Sequence, residues 1–230
     1  DHTERMISAL GIKINRDDKT IELTPSAPHA PVDVSVPGDI SSAAYWLVAG
    51  AIHPDAKLRV LNVGINPTRA GIIDVLMEMG AKLKVDRVIK EGGEPIADVS
   101  IETSQLMGIR IRGSMIPRII DEIPLIALAG ACATGTTVIR GAQELRVKES
   151  DRIRTTVAEL SKLGVDIEEL PDGMVINGGG TIKGGECKSY GDHRLAMTLG
   201  IASLVSQGEV IVNSAESVTV SYPGFWDEID

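Results

Sequence analysis

The sequence predicts an α/β fold assembled from copies of one unit: a buried helix, a strand, an exposed helix and a strand pair. Three observations carry this. An aspartate opens an apolar stretch at Asp39, Asp121 and Asp192. Each is followed at a similar interval by a turn, at Asp55, Gly135 and Gly208, and then by a β-rich run. After a further, similar interval comes a polar helix-start signal, at Asn66, Ser150 and Ser221. Fixed order at near-fixed spacing marks an internal repeat, and a repeat dictates architecture before any single residue is weighed.

Residues 1–24 look like the tail of a further copy. Met6 and Leu10 precede Gly11, and Ile12–Ile14 and Ile21–Leu23 flank Asp17-Asp18-Lys19 in a hairpin pattern. The interval from Asn66 to Gly80 equals that from Ser150 to Gly164, and the same interval counted back from Gly11 puts that copy's helix start before Asp1. The chain also opens with Asp1 rather than Met, so it is expected to begin mid-unit. A proline-bearing connector, Pro25 to Pro37, then marks a boundary. Residues 1–36 are expected to close a neighbouring, mostly absent domain, and residues 37–230 to form the three-repeat domain.

Ser41 to Ile52, Ile123 to Ala133 and Arg194 to Val205 are apolar nearly all round. A helix without a polar face must be buried on most sides. Each follows an aspartate able to cap it by accepting backbone N–H bonds, and Pro124 falls in a first turn, where a missing N–H costs little. The β-rich runs are Leu58–Val63, Thr136–Ile139 and Val210–Val212. Asn66-Pro67 predicts an N-cap followed by proline at the first helical position. Ile153, Val157, Leu160 and Leu163 recur at helical spacing with Arg154, Glu159 and Lys162 between them, an amphipathic surface helix. Gly80 and Gly164, equally far past their start signals, close these second helices. Val165–Leu170, Pro171-Asp172-Gly173 and Met174–Asn177 then read as a β-hairpin, and Lys82–Val85 occupies the matching place after Gly80.

Composition narrows the function. Apolar residues make up 43% of the 230, enough for a core, but aromatics only 3%, which favours close helix–sheet packing over base stacking. A net charge of −9 argues against a general nucleic-acid or anionic-membrane binder. Residues 110–154 nevertheless hold eight Lys/Arg against five Asp/Glu, so that segment carries +3 and the remainder −12. Cys132 and Cys187 are far apart in sequence and form no CxxC, as expected of reduced thiols in a cytoplasmic protein. No 18-residue apolar run marks a membrane span. His2, His29 and His53 lack metal-ligand spacing, and Asn177-Gly178-Gly179-Gly180 lacks the Lys-Ser/Thr of a phosphate loop.

The densest chemistry is Arg146-Val147-Lys148-Glu149-Ser150-Asp151-Arg152, at the second junction of the middle copy. Lys148 and Arg152 are spaced i, i+4, on one face if the helix starts near Ser150, with Glu149 pointing elsewhere. Equivalent placement in the repeat brings Asp121, Asp192, His193 and Arg194 to the same end as this run. There Arg146, Lys148, Arg152 and Arg194 would converge with Asp121, Glu149 and His193. Forked guanidiniums suit carboxylate or phosphate oxygens, and a carboxylate among cations suits proton transfer. The plainer alternative is a solvated, salt-bridged helix start.

These residues resemble the 5-enolpyruvylshikimate-3-phosphate synthase (3-phosphoshikimate 1-carboxyvinyltransferase) family. The likeness rests on Pro37-Gly38-Asp39-Ile40-Ser41-Ser42-Ala43, Asn66-Pro67-Thr68-Arg69, Asp121-Glu122-Ile123-Pro124, Leu145 through Arg152, and Gly191-Asp192-His193-Arg194-Leu195-Ala196-Met197. It implies an inside-out α/β domain of three βαβαββ repeats with helices inside, plus the closing unit of a second such domain. It implies transfer of the carboxyvinyl group of phosphoenolpyruvate to the 5-hydroxyl of shikimate 3-phosphate, a step of aromatic amino acid biosynthesis inhibited by glyphosate. By position, Asp121 matches the base on that hydroxyl, Lys148 its partner at the same oxygen, and Glu149 the acid at the enol methylene. Arg152 and Arg194 match cations that hold phosphoenolpyruvate, with His193, Asp192 and Arg146 in support. Glu144 stands where some members have an Asn touching the shikimate phosphate, and Val220 where some have a Lys near phosphoenolpyruvate. The family implies no metal and no organic cofactor, a complementary N-terminal part needed for activity, and a monomeric completed enzyme. A UDP-N-acetylglucosamine enolpyruvyl transferase-like enzyme and a non-catalytic repeat module are the rival readings, because fold alone does not decide chemistry.

Overall fold

The computed structural model describes residues 1–17, 19–29 and 33–229. Asp18 of the first expected turn, residues 30–32 of the connector and Asp230 lie outside the described residues. The chain opens with α1 (His2–Ala9) and the antiparallel hairpin β1 (Ile14–Asp17) and β2 (Thr20–Leu23).

Unit one comprises α2 (Ile40–Ile52), β3 (Lys57–Gly64), α3 (Gly71–Glu78), β4 (Lys82–Glu91) and β5 (Glu94–Glu102). Unit two comprises β6 (Arg110–Ile111), α4 (Ile116–Ile119), α5 (Ile123–Cys132), β7 (Thr136–Ile139), α6 (Arg152–Lys162), β8 (Asp166–Leu170) and β9 (Gly173–Asn177). Unit three comprises β10 (Gly185–Lys188), α7 (His193–Ser203), β11 (Val210–Asn213) and α8 (Phe225–Ile229). In units two and three a strand pairs in parallel across a buried helix, β6 with β7 and β10 with β11. In unit one Gly38 alone takes that place, in a parallel bridge to Val63. Antiparallel pairs then complete two sheets, ordered β3-β5-β4 and β6-β7-β9-β8, while β10-β11 gains none among the described residues.

The three apolar helices α2, α5 and α7 pack on one another in the centre, and the sheets lie outside them. Their small residues permit this closeness. At Gly50 of α2 an added Cβ would lie 2.5 Å from Ile101 Cγ2 of β5, so the sheet is seated where a side chain is missing. The outer helices end alike, as the sequence predicts. Gly11, Gly80 and Gly164 have φ of +78°, +87° and +83°. At Gly164 the glycine N–H bonds to Ser161 O at 3.0 Å and the next N–H, of Val165, to Leu160 O at 3.1 Å. The same two bonds recur at Gly80 and Gly11, the left-handed stop that glycine makes cheaply.

Two starts differ from the sequence reading. Asn66 does not cap a helix at Pro67. Its Oδ1 accepts from Thr68 N–H and the Thr68 hydroxyl, both at 2.9 Å, closing a turn, and α3 begins only at Gly71. Asp39 and Asp192 do cap α2 and α7, but Asp121 caps nothing. Glu122 holds the N-cap position of α5 without a side-chain cap bond, its carboxylate accepting from the Ser41 hydroxyl, and Asp121 faces cations instead.

The end of β3 sets where Gly38 and hence Asp39 sit, and Asp98 on central β5 fixes that end. Its buried carboxylate accepts from Asn62 N–H, Arg59 Nη2 and both Arg87 Nε and Nη2, each at 3.0 Å. Asn62 and Arg87 have positive φ and lie where the register of β3 and β4 shifts against β5. The Arg87 bonds first, then the Asn62 N–H, hold the Asp98 pKa down at about 2, against an ordinary 3.8. A depressed carboxylate stabilises the fold fully above its unfolded pKa and loses that contribution as pH falls through the folded one. Chemical denaturation should therefore show wild type losing stability between about pH 3.8 and about 2 more steeply than Asp98→Asn. Equal slopes would remove Asp98 as the anchor.

Candidate active site

The centre of the site is the Arg152 guanidinium, 1% exposed at the N-terminus of α6. Its Nε donates to Asp192 Oδ2 at 2.8 Å, Nη1 to Asp121 Oδ1 at 3.2 Å and Nη2 to Glu149 Oε2 at 2.5 Å. A buried cation is tolerated only when paired and hydrogen-bonded, and the guanidinium fork meets three carboxylates at once. Asp192 is fully buried and serves both sides. One oxygen caps α7 through Arg194 N–H at 3.0 Å, and the other takes Arg152 and the Ser150 hydroxyl at 3.0 Å.

Asp121 sits where all three units meet. Oδ1 faces Arg152 of unit two. Oδ2 faces Arg69 of unit one at 3.5 Å and Arg194 of unit three at 3.6 Å. Burial alone would raise its pKa, but Arg194, Arg152, Arg69 and Lys148 together carry it below the ordinary aspartate value. Glu122, next in sequence and 3% exposed, goes the other way. Burial raises it more than the Ser41 hydrogen bond, Arg194 and Arg69 lower it. Two adjacent acids are thus pushed apart, and Asp121 is the one that ionises first.

Lys148 and Glu149 precede α6 rather than lying on it, so the expected shared helical face of Lys148 and Arg152 does not exist. Lys148 Nζ instead meets Glu144 Oε1 at 3.0 Å. Glu149 does not point elsewhere but turns onto Arg152, with its side chain 48% exposed. His193 is half-buried beside them; burial first, then the Arg194 charge, lower its pKa and favour the neutral ring. Arg146 does not join the cluster. It donates to Pro171 O and Leu170 O, both at 2.8 Å, and pairs with Asp151 and Glu169, tying the hairpin tip to the start of α6. Val220, 86% exposed, contributes no polar group. Among the described residues no group of three or more His, Cys, Asp or Glu side chains is arranged to hold a metal ion. None of their helices is long and apolar enough to cross a membrane.

Residue order does not single out Arg69, Ser41, Glu122 or Ser150 as site residues. A signal for Arg69 was present: it closely follows Asn66, at the junction of unit one that corresponds to Ser150–Arg152 in unit two.

Helices inside, sheets outside and ionisable groups gathered at one end define an inside-out α/β domain. The chain belongs to the EPSP synthase family: the model of EPSP synthase (3-phosphoshikimate 1-carboxyvinyltransferase) matches residues 1–229. It is 54% identical over 229 residues to the 3-phosphoshikimate 1-carboxyvinyltransferase of Bacillus cereus (strain G9842), covering 100% of this chain and 53% of that one. The enzyme of that name from Roseiflexus castenholzii is 54% identical over 230 residues, covering 99% and 53%. A solved EPSP synthase from Acinetobacter baumannii superposes with a TM-score of 0.95 at 42% identity, over 99% of this chain and 53% of that one. The enolpyruvyl transferase NikO from Streptomyces tendae shares the fold, with a TM-score of 0.72 at 22% identity over 97% and 50%. The chain spans about half the length of the curated relatives it matches.

Removing Asp192 leaves a buried guanidinium short of its closest fully buried partner. Asp192→Ala should lower the unfolding free energy by about 3–5 kcal/mol, as loss of one partner of a buried pair does. Urea denaturation reads this directly, and a cost below about 1 kcal/mol, the range of exposed pairs, would contradict the assignment.

Proposed function

We propose that this chain is the C-terminal part of a 3-phosphoshikimate 1-carboxyvinyltransferase, active when completed by an N-terminal part. The single observation that carries this is the Asp121 carboxylate ringed by Arg69, Arg152 and Arg194, with Lys148 and Glu149 alongside. Asp121 removes the proton of the 5-hydroxyl of shikimate 3-phosphate as that oxygen attacks C2 of phosphoenolpyruvate, with Lys148 beside the oxygen. Glu149 gives a proton to the methylene carbon. The tetrahedral intermediate then expels phosphate, and the methyl group just formed returns a proton to leave the enol ether. Arg152 and Arg194 neutralise the anionic groups of phosphoenolpyruvate, which replace Glu149 and Asp121 on the guanidinium forks. Asp192 holds Arg152 in place, His193 lies beside them, Arg146 steadies the start of α6 through Asp151, and Glu144 releases Lys148 when substrate arrives. The scheme uses no metal and no organic cofactor.

Residues 1–36 belong to the second domain and residues 37–230 to this one. Two facts support a missing complement. Relatives are about twice as long, and among the described residues unit three has no strand pair where units one and two have theirs. Burial pushes the free thiols of Cys132 and Cys187 up to about 11, inert sulfurs that fit a cytoplasmic protein.

The chain mixed with the N-terminal part of the Bacillus cereus relative should release phosphate from the two substrates. In that complex Asp121→Asn and Glu149→Gln should each lower kcat by about 10²–10⁴-fold, the range for a lost general acid or base. A folded complex that turns over UDP-N-acetylglucosamine instead would reassign the acceptor. One indifferent to both substitutions would rule out the chemistry.

A further inference from the structure

Arg69 is the one cation facing Asp121, among the described residues, that the reaction above leaves without a task, and it is anchored from behind. Its Nη2 donates to Ser41 Oγ at 2.9 Å, and Ser41 Oγ lies 2.5 Å from Glu122 Oε1. A hydroxyl has one proton and two lone pairs. With that proton given to Glu122, the oxygen is free to accept from Arg69, so the chain of bonds runs one way, from guanidinium to buried acid. Ser41 is fully buried in the first turn of α2, where the Asp39 cap holds its N–H. Glu122 is at the N-cap position of α5. Arg69 is 35% exposed, in the turn before α3, and its other arm reaches Asp121.

We propose that Arg69 is a positioning residue for Asp121, held in register by the Ser41–Glu122 relay. The proposal rests on the reading of Asp121 as the base. The groups facing Asp121 are Arg69 from unit one, Arg152 and Lys148 from unit two, Arg194 from unit three, and its neighbour Glu122. Arg152 is already bound to Asp192 and Glu149, and the Arg194 backbone is bound to Asp192. Arg69 is instead held from behind by Ser41, which the reaction does not use, so it can stay on Asp121 while substrate anions occupy Arg152 and Arg194. It keeps the carboxylate ionised and oriented without touching substrate.

The first test needs no turnover. Carbon-13 NMR of the Asp121 carboxyl in the isolated chain should show its titration midpoint rising by about 0.5–1 pH unit in Arg69→Gln, as loss of a nearby cation requires. Ser41→Ala keeps the charge and frees the arm, so it should move the midpoint in the same direction by less. In the completed enzyme Arg69→Gln should lower kcat by about tenfold, with the acid limb of kcat moved up and the KM for phosphoenolpyruvate changed less than about twofold. Guanidinium ion should restore part of the kcat of Arg69→Ala, and sodium ion should not. A midpoint unmoved in both Arg69→Gln and Ser41→Ala overturns the proposal, whatever the enzyme does. A midpoint that moves in a complex where even wild type is inactive leaves Arg69 in place and overturns the reaction instead.

Discussion

A fully buried guanidinium is the constraint on which this site depends. Arg152 cannot remain inside the protein uncompensated, so whatever holds the fold together must bring carboxylates to it. Two come from its own unit and one from unit three, and the last of these also caps the central helix of that unit. Helix packing, helix capping and the geometry of the ionisable groups therefore form one problem with one solution. Moving α7 would carry Asp192 with it and unpair Arg152.

Much of this could be read from residue order. The buried helices, the strand after each, and the glycine stops at Gly11, Gly80 and Gly164 follow from apolar pattern and turn chemistry, which are local properties. The common end for Asp121, Arg152, Arg194 and Asp192 followed from the repeat, because equivalent positions in equivalent units face the same way. What stayed hidden was decided by partners distant in sequence. Asp121 looked like a helix cap because Asp39 and Asp192 are caps, yet three guanidiniums outweigh a few backbone N–H groups. Arg146 looked like part of the cluster but found two carbonyls and Glu169 at a hairpin tip. Glu149 was assigned to another face by helical geometry that begins only at Arg152.

The two halves of the Asp121–Glu122 dipeptide show how little sequence distance says about environment. One carboxyl is paired with three guanidiniums, and the other is buried with the Ser41 hydroxyl as its hydrogen-bond partner. That Asp121 is the exposed partner follows from Glu122 occupying the first position of a helix buried along its whole length.

The incomplete third sheet carries a material consequence. Among the described residues no strand pairs with the outer side of β11, and Ile211 is half exposed on it. Near α8 a hollow of about 430 Å³ is framed by Trp46, Leu58, Val60 and Tyr222, with Arg59 and Glu228 also lining it. An unpaired strand edge is a template along which a further extended strand can lie.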